Sequence, residues 1–107
     1  MTPTLRVRYA DSALKDLHDI HAYIARENVL AASRVVDAVI EAISLLSLFP
    51  QKSRKVRGRA MRVLPLSRYP YVIFYCIQGK ELRITHIAHG ARRHPGFQEE
   101  AAEFLRA

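Results

Sequence analysis

The run YVIFYCI at residues 71–77 constrains the fold more than any other feature of this sequence. All seven residues are apolar or aromatic, so a strand made from them cannot leave a face in water. Such a run is typical of a central strand that is covered on both sides, or nearly so. It therefore predicts a sheet with neighbouring strands on each side of 71–77 and helices packed on one face.

Strand patterns lie on both sides of this run and at the start of the chain. The segment MRVLPL (61–66) precedes it, and ELRITHIA (81–88) follows it after the short turn QGK. Near the N-terminus, TLRVRY (4–9) alternates apolar residues with Arg6 and Arg8, as a half-buried strand does. The sequence thus predicts an N-terminal strand and a three-stranded antiparallel meander.

Two helices are predicted between the N-terminal strand and the meander. Apolar residues recur at spacings of three and four over 12–26, and Asp11 or Ser12 is the expected N-cap. Asn28 is the expected N-cap of a second, strongly apolar helix, which Pro50 ends. Because about three residues join the two helices, they should form an antiparallel hairpin.

These elements predict the fold class α+β, in a single small domain spanning residues 1–107. A chain of this length supports one hydrophobic core and little more. In the predicted architecture, the N-terminal strand and the antiparallel helix hairpin pack with a mostly antiparallel sheet. Helices cover one face, and arginines are expected on the opposite face. The spacing of Phe97, Ala101, Phe104 and Leu105 further predicts a short C-terminal helix.

The positive charge of the chain is confined to one stretch. Residues 50–93 hold eleven Lys and Arg residues and one acid, Glu81, which gives +10. Residues 1–49 have a net charge of −1 and residues 94–107 of −2, so the whole chain has +7. A basic block of this density favours an anionic partner, which can be RNA, DNA or an acidic protein segment.

The candidate binding residues belong to this block. The basic side chains that could hold a target or a nucleic acid are Lys52, Arg54, Lys55, Arg57, Arg59, Arg83 and Arg93. Arg62 and Arg92 could in addition stabilise the charge that develops on a reacting phosphate. Neighbouring strands are expected to bring Arg62, Arg83 and Arg92 or Arg93 toward one concave surface.

The last predicted strand has an alternation that assigns its residues to faces. In a regular strand, Ile84 and Ala88 lie on the face opposite Ile87. His86 and His89 also lie on opposite faces, so they should not share a metal ion. The sequence has no Cys/His cluster with zinc-like spacing, and no cofactor is expected.

Two histidines near the end of the basic block could act as a general acid or base. These are His89 and His94, since imidazole titrates near neutral pH. The block contains no carboxylate except Glu81 that could orient either ring.

The chain is expected to be cytoplasmic and to have no membrane partner. It has a single cysteine, Cys76, which cannot form an intrachain disulfide. No apolar run reaches the ~18 residues that a membrane span needs. The first residues also lack the pattern of a signal peptide.

Three segments resemble the RelE/ParE superfamily of type II toxins. They are AASRVVDAVIEAISLLSLFP (31–50), MRVLPLSRYPYVIFY (61–75) and ELRITHIAHGARRHP (81–95), and the resemblance extends over about residues 5–95. It implies a growth-inhibiting toxin that is encoded beside a cognate antitoxin and neutralised by it. It also implies that the target is either DNA gyrase or the ribosome with its mRNA.

The superfamily has two activities. RelE-like members cleave mRNA in the ribosomal A site; in such an enzyme Arg62 would stabilise the reacting phosphate, Arg92 or Arg93 would bind a flanking phosphate, and His89 or His94 would act as acid or base. ParE-like members poison DNA gyrase without these catalytic residues. No tyrosine follows HGARR, and the ending AHGARRHP resembles ParE-like members, which favours gyrase. A third alternative is a non-toxic nucleic-acid-binding module.

Overall fold

The computed structural model describes residues 4–50, 54–55 and 61–90. Within these ranges the chain forms two helices and five strands. In chain order they are β1 (Arg6–Tyr9), α1 (Asp11–Ala25), α2 (Val29–Leu48), β2 (Arg54–Lys55), β3 (Met61–Pro65), β4 (Tyr71–Gln78) and β5 (Glu81–His89). The predicted C-terminal helix around Phe97–Phe104 lies outside the described residues. Neither described helix is long and apolar enough to cross a membrane.

The strands form one mixed sheet in the order β1-β5-β4-β3-β2. β1 pairs with β5 in parallel, and all other neighbours are antiparallel. β4 and β5 are joined by a two-residue turn in which Gly79 has a φ of 58°, a conformation that favours glycine. β4 is the middle strand, as its apolar sequence predicts, and the α+β fold with a helix hairpin is confirmed.

Two hydrophobic clusters bury β4 from both sides. The larger one lies between the sheet and the helices, where Val39 and Ile43 of α2 pack with Ile73 and Tyr75 of β4. The smaller one lies on the opposite face and includes Phe74. Adjacent residues of β4 are therefore buried on different faces, which explains why the whole run is apolar.

Asn28 is the N-cap of α2, as predicted. Its Oδ1 accepts a hydrogen bond from the backbone N–H of Ala31 at 2.9 Å. The cap predicted for α1 is wrong, because the N-cap is Ala10 and no side chain caps the helix. The hydroxyl of Ser12 instead donates to the backbone carbonyl of Thr85 at 2.7 Å.

Helix α1 closes the edge of β5 beyond the end of β1. β1 stops at Tyr9, whereas β5 continues to His89, which leaves backbone groups of β5 without a strand partner. Besides the Ser12 hydroxyl, the carboxylate of Asp16 accepts a hydrogen bond from the N–H of Ile87 at 2.9 Å. The same oxygen lies 3.3 Å from Nδ1 of His86. Side chains of α1 thus replace the missing strand at this edge.

A β-bulge in β5 changes the face on which its last residues lie. Tyr75 pairs with Ile84 and Phe74 pairs with His86, so Thr85 has no partner on β4. The Thr85 hydroxyl donates to the backbone carbonyl of Phe74 at 3.1 Å, which holds the bulge.

The bulge overturns one predicted face assignment and leaves another intact. Ile84 and Ile87 both belong to the cluster under the helices, whereas Ala88 belongs to the cluster on the opposite face. The prediction that Ile84 and Ala88 share a face is therefore wrong, because the extra residue inverts the alternation. His86 and His89 pair with Phe74 and Tyr71, which lie three residues apart on β4, and they face opposite sides as predicted.

Candidate functional site

Arg62 lies on the side of the sheet that faces the helices. It pairs with Tyr75, which is fully buried in the cluster under the helices. The Tyr75 hydroxyl donates to the backbone carbonyl of Pro50 at 3.4 Å. Burial raises the pKa of Tyr75 to about 12, and the positive charge of Arg62 partly opposes this rise. Arg62 is thus half-buried beside a neutral phenol.

Arg83 lies on the opposite face of the same sheet. It pairs with Cys76, whereas Arg62 pairs with the adjacent residue, Tyr75. Since successive residues of a strand point to opposite faces, the two arginines are separated by the sheet itself. The prediction that Arg62 and Arg83 share one concave surface is wrong, and arginines are not confined to the face opposite the helices.

His89 is the last residue of β5 and faces the helix side. Its ring packs edge-on against Tyr71, with ring centroids 5.3 Å apart and an interplanar angle of 84°. His89 pairs with Tyr71 of β4, and Arg62 pairs with Tyr75, four residues further along the same strand. β4 also lies between β5, which holds His89, and β3, which holds Arg62. His89 and Arg62 are therefore ~16 Å apart between Cα atoms. The strands do not bring these two candidate catalytic residues together.

The remaining predicted site residues are placed only in part. The backbones of Arg54 and Lys55 form the edge strand β2 and pair with Val63 and Arg62. The other predicted residues lie outside the described residues; they are Lys52, Arg57, Arg59, Arg92, Arg93 and His94. Their roles in binding or catalysis stay predictions. The described residues contain no group of three His, Cys, Asp or Glu side chains that could hold a metal ion.

A cluster of charged side chains lies on the face away from the helices. It was not predicted from the sequence. The parallel pairing of β1 with β5 sets Arg6 opposite Glu81, and Arg8 opposite Arg83. One carboxylate oxygen of Glu81 lies 3.4 Å from Nε of Arg8, and the other lies 3.6 Å from a terminal nitrogen of Arg83. We call Arg6, Arg8, Glu81 and Arg83 the arginine patch. The alternation of β1 predicts the exposure of its arginines, but not the strand that completes the patch.

A groove lies between α2 and the hairpin of β3 and β4. It has a volume of about 780 Å³. Its apolar lining consists of Ala38, Ala42, Leu45, Leu46, Phe49, Leu64, Pro65, Leu66 and Tyr69, and its polar lining of Arg34, Asp37, Glu41, Ser67 and Arg68. Leu45 and Phe49 remain 47% and 58% exposed, which is unusual for large apolar side chains on one wall. We call this feature the α2 groove.

The model of the family described as the ParE toxin of the type II toxin-antitoxin system parDE matches residues 7–94. This match includes all seven described elements except the first residue of β1. The chain belongs to the ParE toxin family. This match confirms the expectation from the sequence that the chain is a RelE/ParE superfamily toxin of the ParE-like branch.

Known proteins similar to this ParE-family chain agree with that assignment. A protein named Putative toxin Y4kP from Sinorhizobium fredii is 33% identical over 90 residues, which cover 84% of this chain and 93% of that protein. The structure described as the chromosomal ParDE TA system from P. aeruginosa has a TM-score of 0.70 at 22% identity. It covers 80% of this chain and 96% of the compared chain.

A second solved structure has the same fold. It is described as the toxin-antitoxin complex RelBE2 from Mycobacterium tuberculosis, and it has a TM-score of 0.60 at 24% identity. The match covers 81% of this chain and 99% of the compared chain. At this identity the similarity establishes the fold alone.

Proposed function

We propose that this type II toxin arrests growth by poisoning DNA gyrase and that a cognate antitoxin neutralises it. The observation that carries the proposal is the match of the ParE toxin family model to residues 7–94. The matched range includes His89 and Gly90 and the basic residues that follow them, the ending that resembles ParE-like members. The location in the cytoplasm, where gyrase acts, is part of the same proposal.

The described residues do not assemble an endoribonuclease site from Arg62 and His89. An endoribonuclease must hold a cation and a general acid or base around one phosphodiester group. Here Arg62 and Arg83 lie on opposite faces, and His89 packs against Tyr71 far from Arg62. A toxin that acts by binding a protein target does not require these residues to converge.

A supercoiling assay tests the target. The purified chain is added to gyrase, ATP and relaxed plasmid, and it should block supercoiling and increase the amount of cleaved plasmid. Transcripts are mapped after induction in cells as the second readout. Cuts within codons would support the ribosome-dependent RNase instead. In that case Arg62→Ala should slow the cleavage, because it removes ~2–4 kcal/mol of transition-state stabilisation. Salt-sensitive nucleic-acid binding without growth arrest would support the non-toxic binding module.

The α2 groove is the surface that best fits the antitoxin. From Arg34 to Leu46 it follows α2 for ~18 Å, or about three helical turns. An amphipathic helix of the antitoxin would place its apolar residues against Leu45 and Phe49, as helices do in apolar grooves. The rim of the groove has Arg34 and Arg68 beside Asp37 and Glu41, so it favours a helix with both acidic and basic residues on its polar side.

Two matched substitutions on α2 test this docking site. Leu45→Gln removes an exposed apolar side chain inside the groove, and Leu30→Gln removes one that is 60% exposed and outside it. Leu45→Gln should weaken binding to the antitoxin encoded beside the toxin by roughly tenfold, since burial of a leucine contributes about 1.5–3 kcal/mol. Leu30→Gln should leave the affinity unchanged. Equal affinities of the two variants, measured by calorimetry, would argue against docking in the α2 groove.

A further inference from the structure

The arginine patch places three arginines next to one another on an exposed face of the sheet. Arg6 and Arg8 are two residues apart on β1, which separates their Cα atoms by ~6.6 Å. Arg83 is the direct neighbour of Arg8 across the parallel pair, at ~4.8 Å. The side chains of Arg8 and Arg83 are 65% and 47% exposed, so their charged groups are open to a partner.

The positive charge of the patch does not stabilise the sheet. Arg8 and Arg83 face each other directly, and like charges in such a cross-strand pair destabilise it. Glu81 is the only acid in the described strands, and its two carboxylate oxygens are divided between these arginines. The face thus has three arginines and one acid. A bound anion would relieve this repulsion.

We propose that the arginine patch binds the phosphodiester backbone of duplex DNA. Guanidinium groups match phosphate oxygens with paired hydrogen bonds, and an array of them along a strand suits a row of phosphates. Glu81 holds Arg8 and Arg83 in place from the side, which limits the side-chain entropy lost on binding.

The neighbours of the patch favour a duplex over single-stranded RNA. Proteins that hold single strands use aromatic side chains on which unpaired bases stack. On β4, the described residues nearest to the patch on this face are Cys76 and Gln78, and the aromatic Phe74 farther along is buried. Contacts to the backbone alone predict binding that depends on salt and not on base sequence.

The inference rests on the proposed gyrase target only for its biological use. Gyrase acts on duplex DNA, so a toxin that also holds the duplex would bind both components of that complex. Binding to DNA can be measured without gyrase, and the block of supercoiling can be measured separately. The two proposals can therefore fail independently.

A charge-matched pair of variants tests the patch. The 107-residue chain, Arg6→Gln/Arg8→Gln and Lys15→Gln/Arg26→Gln are each titrated onto a fluorescent DNA duplex over a series of salt concentrations. Both double variants remove two positive charges, but Lys15 and Arg26 belong to α1 and its C-cap on the helix side. Circular dichroism shows whether each variant keeps its fold.

The expected result is a change in salt dependence that is specific to the patch. Losing two phosphate contacts should reduce the slope of log affinity against log salt by about 1.8, and the control pair should leave it unchanged. An equal loss in both variants would overturn the proposal, because it would show an effect of net charge alone. A loss seen with single-stranded RNA of equal length and not with the duplex would also overturn it. If the patch variant binds DNA as the unmodified chain does, and the unmodified chain blocks gyrase, then DNA binding by the patch is refuted and the proposed gyrase target is not.

Discussion

The closure of the β5 edge by Asp16 can be tested by removing its carboxylate. One oxygen of this side chain accepts the N–H of Ile87 at 2.9 Å and lies 3.3 Å from Nδ1 of His86. Ile87 is fully buried, and only 14% of the Asp16 side chain is exposed. In Asp16→Ala the N–H of Ile87 therefore loses its acceptor in a place that water reaches poorly.

The expected cost follows from these two contacts. A buried donor without an acceptor costs about 1–3 kcal/mol. The higher helix propensity of alanine offsets roughly 0.5 kcal/mol of this cost. Asp16→Ala should therefore lower the free energy of unfolding by about 1.5 kcal/mol, a substantial part of the roughly 5–15 kcal/mol typical of a domain.

Urea unfolding followed by circular dichroism measures this loss as a lower midpoint at unchanged slope. Asp16→Asn keeps an oxygen acceptor, so it should retain most of the stability. Lys15→Ala on the same helix removes the exposed ion pair to Asp19 and should have no measurable effect. Equal stability of Asp16→Ala and Lys15→Ala would show that the Asp16 acceptor does not stabilise the fold, and so would an equal loss in Asp16→Asn and Asp16→Ala.

Two further predictions concern Tyr75 and the cap of α2. Because burial raises the pKa of Tyr75 from 10.0 to about 12, the stability contributed by its neutral phenol is complete below pH 10 and is lost as the pH rises toward 12. Tyr75→Phe should remove this loss in urea unfolding, and Arg62→Gln should move the tyrosinate absorbance change to still higher pH. Asn28→Ala should lower the unfolding free energy by about 1 kcal/mol because the N–H of Ala31 loses its acceptor, and Asn28→Asp should preserve it.

Local sequence patterns were sufficient to predict most of the fold. The apolar run of β4, the cap at Asn28 and the helical periodicity of α2 depend on neighbouring residues only, and each is present in the structure. The bulge at Thr85 has a weaker signal. The large apolar residues of this strand are Leu82, then Ile84 two residues later, and then Ile87 three residues after that. That change of spacing indicates an inserted residue in a strand with one buried face.

The placement of the arginines could not be predicted from local patterns. Whether Arg62 and Arg83 share a face depends on the register of two strands against β4, and a shift of one residue would reverse it. The arginine patch depends on the parallel pairing of Arg6 and Arg8 with β5, more than seventy residues later in the chain. Pairing at this separation is set by the packing of the helix hairpin as a whole.

Gyrase supercoiling in the presence of the purified chain tests most directly whether gyrase is the target of this toxin. We expect that relaxed plasmid stays relaxed, that cleaved plasmid accumulates, and that the cognate antitoxin restores supercoiling. Undisturbed supercoiling at an excess of toxin, together with codon-internal cuts in the transcripts of induced cells, would contradict it.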